Sequence, residues 1–349
     1  MDSEAKYYPA FDYLRIVLAV IVAIGHSGII IWDQSGNYAV QVFFALSGWL
    51  IGGILLRSTP ATLPRFYFNR AARIWIPYLV AIALLAAVGA WKDHITPKWL
   101  EMFFYDLTFV YNFFGPPQLA AFQAAMPLQG TGNHFWSICA EEQFYLVAPF
   151  LITIPAKVGR SIWFWCAVSA LAFLSPYSGY FASISLGVLA AVVRWHIGDW
   201  NTAALARAAL LLCAVALFLV TYLDLVPYRA GAPLSSIAIV LLLAQPGQHS
   251  KLATFLGGIS FPMYLNHWIG VFAANAMFAK FGLRDTFACH VSGVILSIGV
   301  AAVLYVAIDQ NVRRRREKYF SDIRGKSVAV CGFALVAVGL IGGLILTSA

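Results

Sequence analysis

The residues best suited to chemistry in this sequence lie inside apolar stretches, where ionisable side chains are costly and usually face a cavity or a functional pathway. One such stretch contains Arg15 and His26, eleven residues apart. On a helix, that step returns to within about 20° of the same face, about 16 Å further along the axis. The shared face would hold a phosphate-binding guanidinium and an imidazole that titrates near neutral pH. Taken singly, Arg15 could instead extend to the membrane interface, and His26 could bond a backbone carbonyl.

A second group lies in a later apolar stretch, within a narrow arc at helical spacing. Its members are His134, Ser137, Glu141 and Tyr145. A carboxylate this far into a span has a high desolvation cost unless it meets a cation or a hydrogen-bond donor. Glu141 therefore needs a partner, for which the imidazole of His26 or an arginine of another span is suited. Glu142 points about 100° away, towards a different contact.

A third group, Tyr264, Asn266 and His267, follows Gly257, Gly258 and Pro262. Glycine and proline predict a kinked or loosened helix, whose freed backbone groups must be satisfied inside the protein. Tyr264 and His267 lie one turn apart. This histidine could serve the site or be a packing residue.

Arginines flank two of the apolar stretches. Arg65, Arg70 and Arg73 precede the third stretch, and Arg313 to Arg316 with Lys318 follow the tenth. Positive charge on the cytoplasmic side and attraction to anionic lipid explain the later cluster. For Arg70 and Arg73, binding the phosphates of a cytoplasmic donor is an equal alternative.

The chain that must position these residues has 349 residues, of which 61% are hydrophobic and 11% charged, with a mean hydropathy of +0.78. A soluble domain carries about 25% charged residues, so a soluble enzyme is excluded. The sequence predicts an all-α, polytopic transmembrane bundle of about 10–11 spans, in a single integral membrane domain over residues 1–349. The eleven apolar stretches are 11–31, 38–56, 74–91, 134–155, 162–174, 179–193, 203–223, 233–244, 255–279, 287–308 and 328–346.

The basic residues predict the orientation of these spans. With a cytoplasmic N-terminus and residues 99–114 on the membrane surface, 18 of the 23 lysines and arginines lie on the cytoplasmic side. Making residues 99–114 a twelfth span lowers that number to nine. We therefore expect a multi-pass protein of the cytoplasmic membrane whose first span is retained, with residues 327–349 as an extra C-terminal span and no appended outer module. The outer loop 115–132 could be a lid, an acceptor-binding loop or a plain connection.

In this sequence the net positive charge does not predict a nucleic-acid partner, and the cysteines do not predict a disulfide or a metal site. The formal charge of +8 is explained by orientation, so nucleic acid is not expected as a partner. The five cysteines are scattered through apolar stretches without a C-x-x-C pair. They predict neither a disulfide nor a metal site.

Five blocks of residues, in order along the chain, resemble the signatures of the membrane acyltransferase 3 family. They are Arg15 with His26, Phe43 to Ile51, Arg70-x-x-Arg73-Ile74, Trp136 to Tyr145, and Ser260-Phe261-x-x-Tyr264-Leu265-x-His267. Three departures stand beside them: Pro77 lies one position late, Ile138 replaces a common leucine, and Asp309-Gln310-Asn311 stands where the family often has E-x-P. The last departure puts any role of that motif in doubt.

The resemblance implies transfer of an acyl group, commonly acetyl, from cytoplasmic acyl-CoA to a carbohydrate or lipid-linked acceptor, with no bound cofactor and no metal. His26 would act as general base or carry the acyl group, and Glu141 would orient it. Arg15, Arg70 and Arg73 would bind the donor phosphates. The acceptor or supporting residues would be Ser137, Trp136, Tyr145, Tyr264 and His267.

Two alternatives stay open at this point. The acceptor could be a lipid headgroup or a lipid-linked sugar instead of an exported polysaccharide. In a different class, Glu141 and His26 could form the proton relay of a secondary transporter. Such transporters commonly show paired broken helices in two matching halves, whereas this chain has one Gly/Pro-interrupted segment, near Gly257.

Overall fold

The computed structural model describes residues 7–27, 29, 32–116 and 123–348, and their regular structure is helical. The α-helices, in chain order, are α1 (Pro9–Ser27), α2 (Ser35–Leu55), α3 (Leu63–Lys92), α4 (Pro97–Leu107), α5 (Tyr111–Phe114), α6 (Trp136–Ile152), α7 (Ala156–Gly159), α8 (Ile162–Leu174), α9 (Ser178–Ile197), α10 (Ala204–Tyr222), α11 (Tyr228–Leu243), α12 (Lys251–Ala279), α13 (Phe287–Leu304), α14 (Gln310–Tyr319) and α15 (Asp322–Ser348). A π-helical turn, Tyr305–Asp309, separates α13 from α14.

Within the described residues, seven helical segments are long and apolar enough to cross a membrane, and two shorter apolar helices, α8 and α11, accompany them. The seven segments begin with α1, α2, α3, α9, α10, α13 and α15. The expected all-α polytopic bundle is confirmed. Two further helices, α6 and α12, carry most of the remaining candidate residues, because Glu141, Asn266 and His267 lie on them.

The chain forms two compact units. The first comprises residues 1–57 and 155–307, and the second comprises residues 58–154 and 308–349. The first unit therefore contains α1, α2 and α7 to α13, and the second contains α3 to α6, α14 and α15. Each unit is built from two separate stretches of chain.

Small residues let the helices of the first unit pack closely. Gly48 of α2 faces the backbone of Ile184 on α9, and Gly187 of α9 faces the backbone of Ala45, so a Cβ at either position would collide with the other helix. Contacts advance in the same direction along α2 and α9, from Gln41 with Gly179, through Gly48 with Ile184, to Gly52 with Val188, which makes these helices parallel. Helices α12 and α13 are antiparallel, with Gly270 packed against Ser297. Successive predicted spans cross the membrane in opposite directions, and the parallel and antiparallel packing of these helices agrees with that order.

In the second unit, α3 packs antiparallel to α6 and parallel to α15. The Tyr67 hydroxyl donates to the Leu146 carbonyl at 3.0 Å, while Tyr78 lies further along α3 beside Cys139, nearer the start of α6. At the start of α15, Gly325 lies against the backbone of Pro64. These directions also agree with the predicted alternation.

Residues 99–114 are not among the candidate spans of the described residues, and their place on the membrane surface stays a prediction. They form two helices: α4 ends at Leu107, Phe109 has a φ of 56°, and α5 follows. Trp99, Tyr105 and Tyr111 are buried, because this broken segment packs inside the unit. In addition, α3 begins at Leu63, so Arg65, Arg70 and Arg73 lie on its first turns and not in a loop.

The glycines and the proline of α12 do not break the helix, and the kink expected near Pro262 stays a prediction. Helix α12 runs without interruption through Gly257, Gly258 and Pro262. The glycines permit close packing, since a Cβ on Gly257 would collide with Asp12 and one on Gly258 with Tyr305.

The first predicted span is shorter than expected. Helix α1 ends at Ser27, so His26 lies in its last turn. The predicted end of that span at residue 31 lies outside the described residues, as does part of the outer loop, residues 117–122.

Candidate active site

Two histidines from distant parts of the first unit meet side chain to side chain. His26, in the last turn of α1, and His267, in the middle of α12, are joined by a hydrogen bond of 2.9 Å between His26 Nδ1 and His267 Nε2. Their rings are stacked, with centroids 5.0 Å apart. The parallel packing of α1 and α12 brings together the imidazoles of the first and third sequence clusters.

A second hydrogen bond determines where the protons lie on these rings when both are neutral. His267 Nδ1 lies 3.0 Å from the carbonyl oxygen of Tyr264. A carbonyl only accepts, so His267 Nδ1 carries the proton and His267 Nε2 accepts. His26 Nδ1 must therefore donate, which leaves His26 Nε2 unprotonated. That nitrogen can act as a base or as a nucleophile.

The two histidines differ in exposure. His267 is buried, with 3% of its surface exposed, whereas His26 is exposed. Next to the unprotonated nitrogen lies Gly36, at the start of α2, where an added Cβ would be 4.0 Å from His26 Nε2. A buried imidazole thus holds an exposed one, and a residue without a side chain faces the reactive nitrogen.

Arg15 lies on α1 with a carboxylate partner. Its Nη1 is 3.2 Å from Asp12 Oδ1, and the Tyr7 hydroxyl donates to Asp12 Oδ2 at 2.7 Å. Asp12 in turn packs against Gly257 of α12. Arg15 therefore has a fixed position on the same helix as His26, about 16 Å below it along the axis.

Glu141 and Glu142 occupy different environments on α6, in the second unit. Glu141 is half-buried, while Glu142 is 3% exposed and accepts a hydrogen bond of 2.6 Å from Trp75 Nε1. The guanidinium of Arg70 also attracts Glu142. The prediction that Glu142 makes a contact of its own is confirmed. The pairing of Glu141 with His26 stays a prediction.

The other predicted residues of the second unit lie on α3 and α6. Trp136 and Ser137 form the start of α6, where the Ser137 hydroxyl donates to the His134 carbonyl at 3.3 Å. Tyr145 is buried two turns later. Arg70 and Arg73 are half-buried on α3, and Arg73 lies within electrostatic reach of Asp309.

Sequence reasoning missed a buried polar network beside α6. Asn112 and Gln143 exchange two amide hydrogen bonds of 3.1 and 2.8 Å, and Gln143 Nε2 also donates to the Phe109 carbonyl at 2.6 Å. The side chain of Asp106 is 3% exposed, and burial raises the pKa of its carboxyl well above its ordinary value. The only sequence signal was the presence of Asp106 and Asn112 in an otherwise apolar segment.

In the portion of the chain that the structure describes, no group of three or more histidine, cysteine, aspartate or glutamate side chains could hold a metal ion. The ionisable groups of the candidate site are imidazoles, carboxylates and guanidiniums. In the first unit these groups can move a proton at His26 Nε2 and hold an anion near Arg15.

Comparison with known proteins gives one family and several relatives. A family model described as an acyltransferase domain matches residues 8–306. A peptidoglycan O-acetyltransferase of Listeria monocytogenes is 30% identical over 162 residues, which are 44% of this chain and 25% of that protein. An O-acetyltransferase of Staphylococcus aureus is 23% identical over an alignment covering 98% of this chain and 63% of the relative.

A Komagataeibacter xylinus protein that carries the name membrane-bound transacylase is 23% identical, over 86% of this chain and 81% of its own length. The alignments with the two O-acetyltransferases thus cover a quarter and somewhat under two thirds of those proteins. No solved structure matches the chain.

Proposed function

Because the chain belongs to the membrane acyltransferase 3 family, we propose that it transfers an acyl group, acetyl in the first instance, from cytoplasmic acyl-CoA to a hydroxyl of a cell-surface or exported glycan. The relatives named as O-acetyltransferases, one of them for peptidoglycan, support a glycan acceptor. In this reaction a carbon–oxygen ester bond forms and the thioester bond of the donor breaks.

The observation that carries the proposal is the hydrogen bond between His26 and His267. It holds an exposed imidazole with Nε2 unprotonated, which is what a base for an acceptor hydroxyl requires. The hydroxyl oxygen attacks the thioester carbon while its proton passes to His26 Nε2. The same proton then leaves with the coenzyme A thiolate, so the ester and the free thiol are the products and His26 returns to its starting state.

The same nitrogen could act as a carrier of the acyl group. His26 Nε2 would then attack the thioester first, releasing coenzyme A, and the acyl-imidazole would react with the acceptor hydroxyl in a second step. Rapid acid quenching after mixing with radiolabelled acetyl-CoA separates these routes. Label bound to the protein in the absence of acceptor supports the carrier route, and its absence supports direct transfer.

The remaining site residues have supporting roles in this proposal. Arg15, Arg70 and Arg73 bind donor phosphates on the cytoplasmic side, since guanidinium groups are well suited to phosphate oxygens. That Glu141 stabilises the imidazolium on His26 stays a prediction of the sequence. Ser137, Trp136, Tyr145 and Tyr264 line the acceptor region. His267 takes the orienting role at His26 Nδ1.

The proposed function is tested by comparing a strain that lacks the gene with the same strain complemented by the wild-type chain. Surface glycans and membrane lipids are separated, and the acetate released from each by mild base is measured. Restoration of ester in the glycan fraction supports the proposal. Restoration in the lipid fraction alone identifies a lipid acylase, and unchanged ester in both fractions contradicts acyl transfer.

If the ester content is unchanged in both fractions, counterflow of a labelled solute in proteoliposomes without acyl donor is measured, and its presence supports the transporter alternative.

A further inference from the structure

A partly open pocket of about 210 Å³ lies within the first unit, where α2 and α9 end. Both helices run towards it because they pack in parallel. Its walls include two tryptophans and two arginines: Trp49 and Arg57 from the end of α2, and Arg194 and Trp195 from the end of α9. The pocket volume is less than the roughly 300–1,000 Å³ of pockets that enclose a whole ligand, so the pocket is of a size to hold one end of a larger molecule.

Arg194 is held rigidly in the pocket wall. Its Nη2 lies 2.6 Å from Asp199 Oδ1, which its Nε also contacts at 2.6 Å. The guanidinium lies over two aromatic rings, 5.4 Å from the centroids of both Tyr8 and Trp49. Because this guanidinium is already held in place, a ligand that binds to its outer face costs little further side-chain entropy.

A second arginine lines the pocket, and a third contacts two of its wall residues. Arg57 is an exposed residue of the wall. Arg160 donates to the Leu56 carbonyl at 3.2 Å and lies over the ring of Trp195, 5.1 Å from its centroid. The wall thus holds two guanidinium groups and one carboxylate, that of Asp199, with a third guanidinium next to it, so its charge favours an anion.

The aromatic walls complete the chemistry. Trp195 lines the pocket with 43% of its surface exposed, so its indole is accessible to a planar ring. Stacking on an aromatic side chain binds nucleobases, and guanidinium groups bind phosphates. An indole beside three arginines is therefore suited to a phosphorylated nucleotide.

We propose that this pocket binds the adenine nucleotide end of acyl-CoA, a proposal that rests on the acyl-transfer function above. The phosphates nearest the adenine then meet Arg57 and Arg194, with Arg160 close by, and the adenine stacks on Trp195. These residues are distinct from Arg15, Arg70 and Arg73, to which the proposed function also assigns donor phosphates, so the pocket adds contacts at the adenine end of the donor.

The distance to the reactive nitrogen fits an extended donor. Tyr8, which stacks with Arg194, immediately precedes the first residue of α1, and His26 lies in the last turn of that helix. The 17 residues from Pro9 to His26 correspond to about 26 Å along the axis. An extended coenzyme A has a comparable length from its adenine to its sulfur, so the pantetheine arm would run along α1, past Arg15, and present the thioester to His26.

The test uses the full chain in nanodiscs of phosphatidylcholine, with coenzyme A and adenosine 3′,5′-bisphosphate as probes. In Arg57→Gln and Trp195→Ala we expect the Kd of both probes to rise about 10-fold, as expected for loss of one charge-assisted hydrogen bond or one stacked base. The KM for acetyl-CoA should rise by a similar factor. The kcat should stay within about twofold of wild type, because these contacts are equal in the ground and transition states. Trp195→Phe should stay near wild type.

Arg207→Gln is the matched control, since it removes an exposed arginine of the same unit that lies outside the pocket. It should leave both Kd values unchanged. Wild-type Kd values in Arg57→Gln and Trp195→Ala, in protein that still turns over acetyl-CoA, would overturn the pocket assignment and leave the acyl-transfer function standing. Wild-type protein that neither binds coenzyme A nor transfers acetyl would overturn the function itself.

Anionic lipid offers the same phosphate chemistry and is distinguished by a further arm. If adenosine 3′,5′-bisphosphate does not bind, and Arg57→Gln instead weakens retention of phosphatidylglycerol added to the nanodiscs, the pocket is a lipid site and the nucleotide assignment is wrong.

Discussion

His26 and His267 are 241 residues apart in sequence, yet His26 Nδ1 and His267 Nε2 are 2.9 Å apart in the structure. The Tyr264 carbonyl fixes the proton of His267 on Nδ1, and His267 in turn fixes the proton of His26. The relationship assigns His267 as a positioning residue, which acts through His26.

Replacing His267 tests this positioning role. His267→Ala leaves the Nδ1 proton of His26 without its acceptor, and kcat should fall about 100-fold, within the usual range for general-base catalysis. A glutamine at this position can place its side-chain oxygen near the site of Nε2, whereas asparagine is one methylene too short. We therefore expect the kcat of His267→Gln to be at least about tenfold higher than that of His267→Ala, and the kcat of His267→Asn to be no higher than that of His267→Ala.

Steady-state kinetics with acetyl-CoA, alongside thermal unfolding of each variant, make this measurement. Equal activity of the glutamine and asparagine variants would argue that His267 only fills space.

Gly36 gives a test of access to His26. An alanine Cβ would lie 4.0 Å from His26 Nε2, an ordinary contact, so Gly36→Ala should keep near wild-type turnover. Gly36→Leu extends further into the space in front of the nitrogen, and we expect at least a tenfold loss of kcat/KM with little change in thermal stability. Full turnover by the leucine variant would show that substrate approaches His26 from another side.

The outer loop contains a strained turn that can be relieved. Exposed Gln129 has a φ of 54°, in the left-handed region that costs an ordinary residue about 1 kcal/mol. Gln129→Gly should raise the free energy of unfolding by about 0.5–1 kcal/mol. The control is Gln123→Gly, an exposed loop glutamine without a positive φ, which should lower stability. Reduced thermal stability of Gln129→Gly would contradict the assignment of strain.

Asp106 predicts a pH dependence of stability. Burial raises the pKa of its carboxyl in the folded protein, so the folded state holds the proton more tightly than the unfolded state. Its contribution to stability is complete below the ordinary aspartate pKa of about 3.9 and is lost as pH rises towards the raised value. Asp106→Asn does not titrate, so its melting temperature should match wild type near pH 4 and exceed it increasingly towards neutral pH. A difference independent of pH would contradict this account.

Much of the architecture follows from sequence, because the physical requirement behind it is simple. A bilayer demands long apolar helices, and the order and relative directions of the predicted stretches agree with the packing within each unit. The burial of segment 99–114 within the protein was not predicted, because apolar residues do not say whether they face lipid or protein. The break at Phe109 depends on tertiary packing of Tyr105 and Tyr111, which periodicity does not record.

The site was only partly predictable for a similar reason. Helical spacing placed Arg15 and His26 on one face, but spacing within a helix does not tell which other helix meets that face. The sequence argument gave His26 or an arginine of another span as the partner that Glu141 needs, and this pairing stays a prediction. Helices α1 and α12 pack together through Gly257, and this packing brings His267 to His26, a contact that the spacing did not predict.

The most direct test of the central claim measures acetyl transfer by purified His26→Ala, in nanodiscs, with radiolabelled acetyl-CoA and the acceptor fraction identified by complementation. The account predicts that turnover falls at least about 100-fold while the KM for acetyl-CoA changes little, because the lost group acts on the proton and not on donor binding. Turnover near that of the wild type, in a variant with an unchanged melting temperature, would contradict the assignment of His26 as the reactive imidazole.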